Sequence, residues 1–215
     1  MMVHYHTTSE LPEVIPVFPL PGAMLFPRWE LPLNIFEPRY LNMFDDAMRG
    51  DRIIGMIQPL GGPRARPNLA RVGCAGRITR FSETDDGRYL VTLSGVCRFA
   101  VSRELDVTSP YRQVHADWDE FAADLHQAPE TGLPDRAELV RALRIYTTAL
   151  SLQADWSAVE GAPMETLIHA LSTGCPFLPP EKQALLEAMS LGERARALIA
   201  LLEIGGSGDH TGPVQ

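Results

Sequence analysis

The hydrophobic period of this chain changes once. Up to about Asp119 apolar residues alternate in twos or come in short runs; after Pro134 they recur every three to four residues. The first period puts alternate side chains on opposite faces of a strand, and the second lines one face of a helix. Strands first and helices second predict an α+β protein with segregated lobes. The 215 residues divide into a flexible tail over 1–12, a β lobe over 13–120 and a connector over 121–134; a helical lobe over 135–204 and a flexible tail over 205–215 follow.

In the first half, "EVIPVFPL", "WELPLNIF" and "RIIGMIQPL" read as strands, the third apolar enough to be buried on both faces. "VGCAGRITRF" and "RYLVTLSGVCRFAV" flank "SETDDG", where Asp86-Gly87 supplies a hairpin turn, and "YRQVHADWD" is the last strand. One helix is expected near 38–49: Pro38 suits a first helical position, Tyr40, Leu41, Phe44 and Met48 form a stripe, and Gly50 closes it. Many short strands with one inserted helix predict a partly closed antiparallel β-barrel. In the second half, helices are expected from Asp135, Pro163, Pro180 and Ser190, with Glu138 and Glu193 completing their start signals.

The formal net charge is −8, and Lys182 is the only lysine. An acidic chain is repelled by nucleic-acid phosphates and anionic lipid. The arginines at 64, 66, 71, 77 and 80 lack interleaved aromatics, so a solvated strand face is expected rather than a nucleic-acid surface. Cys74, Cys97 and Cys175 are odd in number and widely spaced, which speaks against a disulfide framework and a zinc site. The N-terminus has no signal-peptide core, and no apolar run reaches the ~18–20 residues of a membrane span. A soluble, cytoplasmic protein is expected.

Catalytic signatures are missing. Lys182 sits in "PPEKQALL" without the glycine loop of a nucleotide-binding P-loop. His4, His6, His115, His126 and His169 are scattered, the last beside an apolar helix face where a hydrogen-bonded core histidine is expected. Asp45-Asp46, Asp85-Asp86 and Asp119-Glu120 read as coincidences of an acidic chain or as turn chemistry. No cofactor is expected.

"VFPLPGAMLFPRWELPLNIFEPRYLNMFDDAM", "RIIGMIQP", "VGCAGRITRFSETDDGRYLVTLSGVCRF" and "PFLPPEKQALLEA" resemble the N-terminal, substrate-binding domain of the Lon protease family, from about Val14 to Leu202. The resemblance implies a PUA-like β lobe followed by a helical bundle, and a role in engaging substrate polypeptides. It looks like a stand-alone, non-catalytic member without the ATPase and peptidase domains, so a protease label would be inherited from the family name alone.

Three functions are weighed. The first is a module for unfolded or extended polypeptides, using a free strand edge or an apolar groove between the lobes, with Phe18, Leu20, Trp29, Phe36, Tyr40 and Phe177 as candidate contacts. Trp29, at a turn between Arg28 and Glu30, leads that set. The second is a regulatory adaptor for a separate ATPase or protease. The third is a small-molecule or enzyme site in an interlobe cleft. Oligomeric state is not legible.

Overall fold

The computed structural model describes residues 4–63, 66–129 and 132–207. Arg64, Glu130, Thr131 and the outer parts of both expected tails lie outside them. The chain forms two compact units, Met1–Gln127 and Ala128–Gln215.

The first unit carries six strands: β1 (Val14–Pro19), β2 (Glu30–Ile35), β3 (Ile53–Leu60), β4 (Asn68–Glu83), β5 (Tyr89–Glu104) and β6 (Arg112–Asp117). Their order is β2-β5-β4-β3-β1-β6, and β6 also pairs with β5. Five strands therefore close a ring, with β2 attached outside it. The long β5 makes this possible: Tyr89–Ser94 pairs with β2, whereas Ala100–Glu104 pairs with β6. Register shifts in β4 and β5 at Ala75/Gly76, Ile78/Arg80 and Val101/Arg103 supply the bending that closure needs.

All pairs are antiparallel except β1–β3, which run parallel with Val17 opposite Gly55. A two-residue hairpin cannot join parallel strands. Here the crossover contains β2 and the helix α1 (Pro38–Arg49). Pro38 occupies the first turn of α1, and Tyr40, Met43, Phe44 and Ala47 are buried. The core gathers Ile15, Val17, Phe26, Ile54, Leu93 and Phe99. A Cβ on Gly73 would lie 2.6 Å from both Met56 O and Phe99 Cζ, so the Phe99 ring fits only against bare backbone.

Residues 121–125, inside the expected connector, belong to a 3-10 segment over Asp119–Leu125 with Phe121 buried. Asp124 explains its attachment. Its carboxylate accepts from Arg98 Nε at 2.7 Å and Arg98 Nη2 at 2.9 Å, with both side chains nearly buried. The Arg98 guanidinium lies 4.4 Å from the Phe121 ring centroid.

The second unit contains α2 (Arg136–Ala149), α3 (Trp156–Gly161), α4 (Met164–Gly174), α5 (Pro179–Glu187) and α6 (Leu191–Gly206). Asp135 accepts from Ala137 N and Ser190 from Glu193 N, as capping side chains do. The sequence pattern missed α3, whose six residues are too short for a periodic stripe. Asp155 caps it, and Arg144 lies 4.2 Å from the Trp156 ring centroid. His169 is buried, with Nε2 3.2 Å from Arg194 Nη1.

Candidate functional site

The end of β1 and the start of α1 meet in a cleft of about 240 Å³. Phe18 and Tyr40 meet at 4.3 Å between centroids with their rings tilted by 48°, and Leu20 joins them in the lining. Pro19, Pro21, Pro59, Pro67 and Pro110 form much of the remaining wall. Prolines hold such a wall open cheaply: their φ is fixed, and they bring no backbone N–H to satisfy. Gln58 secures the turn after Leu20, accepting from Gly22 N at 3.0 Å and donating to Ala23 O at 2.7 Å.

The charged groups of the cleft are paired, within the lining or with residues behind it. Arg39 donates to Glu37 at 2.9 Å, and its guanidinium lies 4.5 Å from the Tyr40 ring centroid. Arg112 donates twice to Glu104, at 2.8 and 2.6 Å, and to Pro67 O at 2.6 Å. These bonds hold the Glu104 carboxyl below the usual range. Burial raises the Tyr40 phenol. Burial and then the bond to Asp46 push Tyr111 up to about 12. These three shifts all lead away from neutral pH, the reverse of what a general acid or base needs. Among the described residues no group of three metal-ligating side chains converges.

Three of the six expected contacts therefore come together: Phe18, Leu20 and Tyr40. Phe36 stands 65% exposed, one residue before Glu37. Trp29 does not line this cleft. It is half-buried at the head of β2, where its carbonyl accepts from Gly95 N at 2.8 Å. Arg28 makes that turn with φ of 63°, while its guanidinium reaches Asp124 O and His126 O. Gly95 is obligatory beneath it, because a Cβ would lie 1.8 Å from Phe26 O. Phe177 is buried in the second unit, its ring 5.7 Å from that of Tyr146.

Tyr111 and Arg112 went unnoticed in the sequence; the signal available was an aromatic-arginine pair directly after Pro110 at a strand start. Asp45 and Asp46 also do more than the sequence pattern indicates. Tyr89 donates to Asp45 at 3.0 Å and Tyr111 to Asp46 at 2.8 Å, so neighbouring carboxylates hold α1 to two different strand regions. Three members of the arginine run are engaged: Arg66 pairs with Glu104, Arg71 with Glu120, and Arg77 donates to Tyr5 and to Asp51 O. A larger trough, about 510 Å³, lies along β2, β5 and β4, but it is open and Arg80 is its only ionisable group.

A closed five-stranded ring with an outer strand and one crossover helix, together with a separate helical unit, defines an α+β protein of two-unit design. Residues 14–203 match the family described as the ATP-dependent protease La (LON) substrate-binding domain, and the chain belongs to that family. The Lon protease of Roseiflexus castenholzii is 26% identical over 203 residues, which is 90% of this chain and 24% of that protein. That of Desulfosudis oleivorans is 30% identical over 109 residues, 49% of this chain and 13% of that protein. The chain thus spans at most about a quarter of these relatives. Two solved structures share the fold. A Lon N-terminal domain protein from Xanthomonas campestris has a TM-score of 0.60 at 21% identity, covering 87% of this chain and 97% of its own. The N-terminal domain of Mycobacterium avium complex Lon protease has 0.61 at 15%, covering 92% and 99%.

Proposed function

We propose that the chain is a non-catalytic module that captures exposed or extended polypeptide segments in the Phe18–Leu20–Tyr40 cleft. The observation that carries this reading is the convergence of two contacting aromatics, a leucine and five prolines around paired charges. Apolar pockets with few, already satisfied polar groups favour apolar side chains over charged ones. The family description, substrate-binding domain, agrees with this role. Capture by strand addition is the weaker route. Among the described residues β2 has a free edge, but Pro32 stands in its middle, and a proline fits an unbroken ladder when its nitrogen faces outward. That edge then lacks a donor at its centre.

Bound segments are handed to a separate ATPase or protease in this reading, and the relatives' name, Lon protease, supports a partner of that kind. Three buried free cysteines suit a reducing compartment such as the cytoplasm. Among the described residues no helix is long and apolar enough to cross a membrane.

The test is fluorescence anisotropy with a permanently unfolded labelled polypeptide. Tyr40→Ala should weaken binding about tenfold or more, the usual effect of removing a central aromatic contact. Trp29→Ala should change it little. Equal affinity of Tyr40→Ala and wild type, or no binding by wild type, counts against the cleft.

A further inference from the structure

A second cleft, about 160 Å³, opens on the same side of α1. Its lining includes Val14, Pro16, Ala47, Gly50 and Gln113, and it shares Tyr111 with the first cleft. Arg39 and Tyr40 line the first cleft, whereas Asp46, Ala47 and Gly50 line the second. Arg39–Asp46 and Tyr40–Ala47 are each seven residues apart, a separation that returns to one side of a helix, and Gly50 is the cap just beyond. The two clefts are therefore successive hollows along one flank of α1, with Tyr111 between them. β1 runs the opposite way beneath, giving its end to the first hollow and its start to the second.

Resting on the reading of the first cleft as a polypeptide site, we propose that these hollows form one track for an uncharged extended segment with two apolar anchors, one on each side of Tyr111. The chemistry of the occupant follows from the charges. Glu37–Arg39, Arg112–Glu104 and Asp46–Arg49 are paired, and Asp51 and Arg52 add one charge of each sign. A charged segment meets as much like charge as opposite charge along this track and gains no net attraction, whereas an apolar one loses only water. Seven helical residues span about 10 Å, which an extended chain covers in about three residues. That distance sets the anchor spacing.

Uncharged labelled peptides carrying one leucine, or two at systematically varied spacing, test this by anisotropy. Two leucines at the matched spacing should bind about tenfold more tightly than one, the gain expected from burying a second side chain. The affinity should be nearly independent of salt. Val14→Asp, at a position already 37% exposed, and Gln113→Trp, which fills the second hollow, should each abolish the spacing optimum. Circular-dichroism melts check that both fold. If affinity ignores spacing while Tyr40→Ala still weakens every peptide, the two-anchor track is overturned and the first cleft stands. If Tyr40→Ala has no effect, or no peptide binds, both readings fall.

Discussion

Each unit holds a tilted aromatic pair. Phe18 and Tyr40 meet at 4.3 Å and 48°, Tyr146 and Phe177 at 5.7 Å and 47°. All four residues are mostly buried. Their surroundings differ. Phe18 and Tyr40 border a proline wall at the rim of a closed ring, and a hollow remains beside them. Tyr146 and Phe177 line none of the three concavities described above. Similar chemistry thus yields a surface in one unit and a packed core in the other, because neighbours decide whether the space beside a ring is filled.

The largest expected effect concerns what holds the ring's attached segment in place. Asp124→Ala leaves the Arg98 guanidinium buried without its carboxylate and should cost about 3–5 kcal/mol. Urea titration followed by tryptophan fluorescence reads it; an unchanged midpoint would mean that the 3-10 segment is not tied down by this pair.

The aromatic comparison itself comes next. Tyr146→Ala should cost about 3 kcal/mol or more of stability, as deletion of a core aromatic does, and leave peptide affinity alone. Tyr40→Ala should cost stability too, since Tyr40 is also buried, but it alone of the two should weaken peptide binding. Loss of peptide binding in Tyr146→Ala protein that melts normally would break the contrast.

The smallest effect is at high pH. Tyr111 and Tyr146 are both pushed up to about 12, by burial first in each case. The unfolded chain releases phenol protons near ~10, so the folded state binds more protons between those values. The stabilisation is complete below about pH 10 and is lost as pH rises toward about 12. Tyr111→Phe should flatten part of that decline and cost about 1 kcal/mol at neutral pH through the lost bond to Asp46. An unchanged alkaline slope in this variant would show that Tyr111 ionises as freely folded as unfolded.

Much of the scaffold is legible without coordinates. Tyr89, Val91 and Leu93 alternate as a half-buried strand, and Val91 and Leu93 are indeed buried. Pro38, Asp135 and Ser190 mark helix starts through local sterics and local hydrogen bonds. The parallel β1–β3 pair was not legible, because nothing local distinguishes it from a hairpin partner. The same holds for Tyr111, which reaches α1 across 65 residues of sequence. The setting of Trp29 was illegible for a related reason: its turn is pinned by Gly95, which lies far along the chain.

By itself the sequence determined the two-part α+β organisation, most element positions and the family, since periodicity, caps and turn residues act over a few neighbouring positions. Only the tertiary structure decided which apolar residues share a cleft. Phe18, Leu20 and Tyr40 became neighbours of Tyr111 through ring closure and the crossover of α1. Packing at that distance depends on volumes and partners that no short stretch of chain contains.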